Sequence, residues 1–295
     1  MPSSSLVVSE RLRSLLLLPL LAIALLAGES SGYSTSSIAS RLVALQPALD
    51  TSKITRIADF AAAAYFPDNK FQSWSNDRKL VMPTTFTDAA SETRGYLGVD
   101  EEGGRVVLSF RGSGTLKNFL TNLNFQLIPF DHPCVSVPDI RVHRGFSTVS
   151  LRLYESQLKD KILHLTEKYP DFDLTVTGHS LGGGVAILTS YLLAHDSKLS
   201  PSLITFGAPL VGNQQFADAH ALCVPEILHV VHDADPILYN NEPLWRDNGF
   251  VRSGQVLNCS PQSFEAPQPS EGFRVPPWNL VDHLWYMGRY MGPQL

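Results

Sequence analysis

Ser180 stands between glycines in TVTGHSLGGGVAI, the run from Thr175 to Ile187. The lead-in DFDLTVT reads as a strand and VAILTSYLLAH as a helix, so Gly178-His179-Ser180-Leu181-Gly182 is the turn that joins them. Strand, G-x-S-x-G and helix in succession put a serine on a sharp turn with its hydroxyl above the sheet edge. Gly178 and Gly182 lack the Cβ atoms that would collide with neighbouring backbone. The helix beginning under the serine aims its first amides and its dipole at any anion that develops there. The backbone N–H of Leu181 is then one oxyanion donor. A glycine-rich helix start is the plainer reading of the five residues, but the strand before and the helix after favour a nucleophile.

A serine hydroxyl is a weak nucleophile that needs a base, and the base needs an orienting carboxylate. With a serine on such a turn, the chain order is Ser, then Asp or Glu, then His. His179 adjoins Ser180, but neighbours on a sharp turn point apart, so it reads as packing. Downstream lie His195, His220, His229, His232 and His283. The first two fall in or beside polar helical stretches and are expected to be solvated. His229 and His232 sit in a strand, where a structural imidazole is the usual case. His283, in NLVDHLWYMG after a long loop, is expected to be the base. For the acid, HDADP offers Asp233 and Asp235 at the end of an apolar strand, where functional groups of α/β sheets gather. Asp235 is preferred as the more C-terminal, and Asp282 is set aside because it adjoins His283 rather than facing it.

The elements that must position these residues alternate between strand and helix. SIASRLVALQPALDTSKITRIADFAAAAYF reads as helical, with Ile54, Ile57, Ala61 and Tyr65 on one face. Gly95 to Val99 and Arg105 to Phe110 form a hairpin across DEEGG. Leu151, Tyr154, Leu158, Ile162 and Leu165 mark one amphipathic helix, stopped by Pro170. A second helix covers 181–195, and SLITFGAP and EILHVVHDADP are two further buried strands. This order predicts an α/β fold whose mainly parallel sheet carries helices on both faces. No Pro/Gly/Ser linker divides residues 33–295, and SPQSFEAPQPSEGFRVPP reads as a surface loop, so one domain is expected.

Composition excludes several functions. The 295 residues are 44% hydrophobic, enough for one substantial core, and the net charge is -5. There is no basic stripe, so nucleic acid is not an expected partner. There is no CxxC spacing and no HExxH, so no motif supports a zinc site. Arg11 and Arg13 precede the apolar run LLLLPLLAIALLA, Leu15 to Ala27, which is short for a bilayer span and suits a signal-peptide core. Cleavage is expected near 28–32, in GESSG. Removing residues 1–32 takes Glu10, Glu29, Arg11 and Arg13, two charges of each sign, so the mature charge stays -5. The chain is therefore expected to be secreted. Three cysteines, Cys134, Cys223 and Cys259, allow at most one intramolecular bridge. Asn258-Cys259-Ser260 is a glycosylation sequon whose use is in question if its cysteine is bridged.

VVLSFRGSGTLKNFLTNLNF, VHRGF, TVTGHSLGGGVA, TFGAPLVGNQQFA and DHLWYMG, in this order over about residues 60–290, resemble the class 3, or fungal-type, triacylglycerol lipases. The resemblance implies an α/β-hydrolase fold, no cofactor and hydrolysis of carboxylic esters. It assigns the nucleophile to Ser180, the acid to Asp235 and the base to His283. It adds Ser113, in FRGSG, as the oxyanion partner of Leu181, giving both its N–H and its hydroxyl. The family's usual set of disulfides is missing here, and Phe119 stands where tryptophan is more common. Pro236 follows Asp235 directly, where family members place proline two or three residues on, which leaves Asp233 open as the aligned acid.

GTLKNFLTN, just after Ser113, carries Leu116, Phe119 and Leu120 at helical spacing. The residues alone describe an amphipathic surface helix; the resemblance makes it a lid that rolls back at an oil–water interface. The implied partner is a lipid ester at that interface, with no stable protein partner. Feruloyl esterases of the same family, whose corresponding segment is more polar, are the rival reading. A non-catalytic lipid- or carbohydrate-binding relative is a third, disfavoured by the intact Ser180, Asp235 and His283.

Overall fold

The computed structural model describes residues 50–112, 125–132, 134–196, 199–232, 235, 237, 242–260, 263–265 and 280–293. Ser113, Leu116, Phe119, Leu120, Asp233 and the leader lie outside them.

Two helices open the described chain, α1 (Thr51–Ala63) and α2 (Asp68–Asp77), followed by the strands β1 (Leu80–Asp88), β2 (Thr93–Asp100) and β3 (Arg105–Phe110). After the short strands β4 (Leu127–Pro129) and β5 (Arg141–His143) come α3 (Arg144–Leu153), a π-helical turn (Tyr154–Leu158) and α4 (Lys159–Lys168). Then β6 (Asp173–His179), α5 (Leu181–Asp196), β7 (Ser202–Phe206), α6 (Gln214–Cys223), β8 (Glu226–His232) and α7 (Glu242–Asp247) alternate. The chain continues through β9 (Gln255–Ser260), β10 (Ser263–Glu265), α8 (Leu280–Leu284) and a small hairpin, β11 (Trp285–Tyr286) with β12 (Arg289–Tyr290).

Eight strands form one sheet in the order β1-β2-β3-β6-β7-β8-β9-β10. The run from β3 to β9 is parallel, and antiparallel pairs close both edges. A two-residue side-chain period divides the sheet between two cores. Val106, Leu108 and Phe110 of β3 face one core with Phe146, Leu188 and Tyr191 from α3 and α5. Val107 faces the other core with Ile54, Ile57 and Ala61 of α1. Apolar residues on both faces are what a buried parallel strand requires.

The expected hairpin stands, with Tyr96 opposite Ser109 and Asp100 opposite Arg105. The single helix expected around Leu151 to Leu165 is three pieces instead and starts at Arg144. A π turn inserts one extra residue, which lets Tyr154, Leu158, Ile162 and Leu165 all stay buried although α3 and α4 are separate helices. The sequence reading missed α2, β1, α6 and β9, and β10, which pairs with β9, lies inside the segment SPQSFEAPQPSEGFRVPP expected to be a surface loop.

Cys134 and Cys223 form the one disulfide that three cysteines permit, and Cys259 is buried in β9. Asn258 of the sequon sits inside β9, paired with Val231 on one side and Glu265 on the other, rather than in a loop. His220 corrects an expectation: it is buried in α6, not solvated, with Nε2 3.0 Å from Ser190 Oγ and Nδ1 2.8 Å from Ser253 Oγ. Burial pulls its pKa down to about 3. The polar sequence around it hid the side of the helix on which it lies.

Candidate active site

The nucleophilic turn is built at the C-terminal end of β6, where parallel neighbours hold it from both sides. Gly178 pairs with Phe110 of β3 and with Thr205 of β7. Ser180 follows with φ of 55°, a left-handed conformation in a residue other than glycine. Such a backbone costs about 1–3 kcal/mol and persists only where its surroundings impose it. Here the Ser180 N–H donates to Phe206 O at 3.0 Å, and the Ser180 carbonyl accepts from Gly183 N–H at 2.9 Å. The glycines are sterically required. A Cβ on Gly182 would lie 2.4 Å from Phe110 O, and one on Gly178 would lie 2.4 Å from Gly182 O.

Asp235, shortly after β8, and His283, in α8, are far apart in sequence and meet with no side-chain exposure. His283 Nδ1 lies 2.7 Å from Asp235 Oδ2. The Tyr286 hydroxyl donates to the same oxygen, and the Ile237 N–H donates to Oδ1 at 2.8 Å. A buried carboxylate is tolerated only when its lone pairs are taken, and Asp235 has three donors. Burial, and after it the charge of Asp235, raises the Tyr286 pKa well above the ordinary value, so the phenol remains a donor. With Nδ1–H directed at Asp235, the His283 lone pair is on Nε2. Among the described residues Nε2 has no hydrogen-bond partner, and neither does the equally buried Ser180 Oγ. A serine is activated when a base with an unspent lone pair comes within hydrogen-bond reach of its hydroxyl.

A second line of hydrogen bonds runs beneath these groups. The Gly112 N–H donates to the Tyr65 hydroxyl at 3.0 Å. That hydroxyl lies 2.7 Å from His179 Nδ1, and His179 Nε2 lies 2.7 Å from the His283 carbonyl oxygen. Only a donor satisfies a carbonyl, so the proton is on Nε2 and the Tyr65 O–H donates to Nδ1. Burial, aided by His283, lowers the His179 pKa well below the ordinary value, keeping the ring neutral as this tautomer requires. His179 is thus packing, as expected, and it also fixes the backbone of His283.

The structure joins Asp235 to His283, shows no hydrogen bond between His283 Nε2 and Ser180 Oγ, and places Leu181 at the first position of α5. That end of a helix has amides with no preceding carbonyl to bond. Ser113, the expected second oxyanion residue, lies outside the described residues, directly after Gly112. His229 and His232 are strand residues, and His229 Nδ1 is 2.7 Å from Thr205 Oγ1. Tyr65 and Tyr286 were missed as functional residues. Tyr286 falls three residues after His283 in DHLWYMG, a spacing that could have signalled it.

Residues 107–239 match the family model described as Lipase (class 3). A lipase of Rhizopus niveus is 33% identical over 204 residues, which cover 64% of this chain and 49% of that protein. A protein named secreted mono- and diacylglycerol lipase 1, from Fusarium solani, is 33% identical over 145 residues, 48% of this chain and 41% of that one. The chain thus spans about half the length of the curated relatives it matches. The solved structure of lipase II from Rhizopus niveus superposes with a TM-score of 0.68 at 27% identity, covering 82% of this chain and 96% of that one. The fold is accordingly that of the α/β-hydrolases, as the sequence predicted.

Proposed function

From residues 107–239, which make this chain a member of the class 3 lipase family, we propose that the protein is a secreted serine esterase that hydrolyses triacylglycerols. The single observation that supports the chemistry is the buried His283–Asp235 pair, 2.7 Å apart, with Nε2 left without a hydrogen-bond partner among the described residues. In the first half-reaction Ser180 Oγ attacks the ester carbonyl carbon while His283 Nε2 takes the hydroxyl proton. The carbonyl oxygen, now an oxyanion, is held by the N–H of Leu181 and by the N–H and hydroxyl of Ser113. Collapse breaks the bond to the glycerol oxygen, which leaves with the proton from His283. Water then repeats the sequence on the acyl-enzyme and releases the fatty acid. Asp235 stays ionised throughout and holds His283 in the productive tautomer.

Leu116, Phe119 and Leu120 serve in this proposal as the apolar face of a lid. Moving each such side chain between water and an apolar phase is worth about 1.5–3 kcal/mol. An oil surface offsets that cost and bulk water does not, so opening is coupled to the interface. Residues 1–32 act as the secretion leader of a single catalytic domain, 33–295, consistent with the name of the Fusarium relative.

The test is a rate series for the secreted protein on short- and long-chain triglycerides, a phospholipid and methyl ferulate, crossing each solubility limit. Triglyceride hydrolysis that jumps past the limit is expected, and Phe119→Ser with Leu120→Ser should remove the jump while sparing a dissolved short-chain ester. A smooth curve with methyl ferulate cleaved fastest would replace the lipase by a feruloyl esterase.

A further inference from the structure

We propose that His132, His195 and Asp196 form a binding site for a borderline-soft divalent cation, zinc being the best match, separate from the esterase centre. His132 lies in the loop after β4, and the other two residues end α5. One ligand atom from each lies within 4.8 Å of the others. His195 Nε2 is already 3.2 Å from Asp196 Oδ1. Tetrahedral zinc with bonds of about 2.0–2.2 Å keeps its ligand atoms about 3.3 Å apart. Closing on a cation therefore asks only for a modest side-chain movement, mainly of His132. Two imidazoles and a carboxylate, completed by water, are the donor set such an ion prefers over calcium or magnesium.

The surroundings hold the ligands in place. The His132 ring sits 5.0 Å from the Phe130 ring and meets His195 edge-on at 5.8 Å. Two residues on, the Cys134 N–H donates to the Tyr191 hydroxyl of α5 at 3.1 Å, and the Cys134–Cys223 disulfide fixes the same loop to α6. The C-terminal end of a helix also favours positive charge. Lys159 Nζ, 3.7 Å from Asp196 Oδ2, sets a positive charge against the same carboxylate and so competes with a bound cation. A bound ion would join the loop directly to the end of α5.

The experiment is calorimetric titration of zinc chloride into chelator-treated, untagged full chain, with cobalt(II) as a spectroscopic probe of four-coordinate binding. One saturable site is expected, with thermal unfolding raised by about 5 °C or more at a hundredfold excess over Kd. His132→Ala and Asp196→Asn should lose the cobalt spectrum and at least tenfold in affinity. Lys159→Gln should bind more tightly, a gain that general destabilisation would not produce. Hydrolysis without zinc should be the same in all variants. No saturable binding by the unsubstituted chain would overturn the proposal, as would zinc taken up equally by His132→Ala.

Discussion

His179 Nε2 lies 2.7 Å from the carbonyl oxygen of His283, so the residue beside Ser180 holds the backbone of His283. Because Tyr65 supplies the other half of that link, Tyr65→Phe should loosen the site without touching substrate. It strands His179 Nδ1 and the Gly112 N–H, each a buried polar group whose loss of partner costs about 1–3 kcal/mol. Urea unfolding should show that loss. kcat should fall about tenfold with KM little changed, the pattern of a lost transition-state interaction. A change confined to KM would contradict the assignment.

Ser180→Ala should lower kcat about 10⁶-fold and leave the fold intact, as read by circular dichroism. Asp235→Asn should cost about 10⁴-fold, because an amide no longer selects the His283 tautomer. Asp233→Asn should be far milder, since the described carboxylate on His283 Nδ1 is Asp235. Equal effects at the two positions would remove Asp235 from its role.

Burial holds His220 and His229 neutral in the folded chain, with the His220 pKa near 3 and that of His229 well below its ordinary value. Both are free to take a proton at about 6.5 when unfolded. Below that pH the unfolded chain therefore binds more protons, and stability falls as pH drops. The loss is about 1.4 kcal/mol per pH unit for each histidine, continuing to about pH 3 for His220. Urea unfolding measured from pH 7 to 4 should show this slope, and His220→Gln should flatten it by about one proton. An unchanged slope would mean that His220 is protonated in the folded chain.

The Cys134–Cys223 bridge spans a sequence separation of 89 residues, so it restrains a large loop in the unfolded chain. Cys134→Ser with Cys223→Ser should cost about 2–5 kcal/mol in urea unfolding, while kcat on a dissolved ester stays close to its starting value. A stability loss under 1 kcal/mol would show that the loop is held by its packing alone.

The sequence by itself determined the turn at Ser180, because the glycine requirement and the strand-to-helix switch are local and leave their mark in consecutive residues. It also determined the alternation of elements that makes a parallel sheet, and through chain order it selected His283 and preferred Asp235. Tertiary structure decided what depends on residues distant in sequence meeting. Only the packed fold brings Tyr65 to His179, and His179 to the His283 carbonyl, because each contact joins separate elements. The burial of His220 was likewise illegible, since a helix with a weak apolar period does not announce which side will face Ser190 and Ser253. Local sequence restricts backbone conformation within a few residues. The partner of a buried polar atom is fixed only when the whole sheet and its helices close around it.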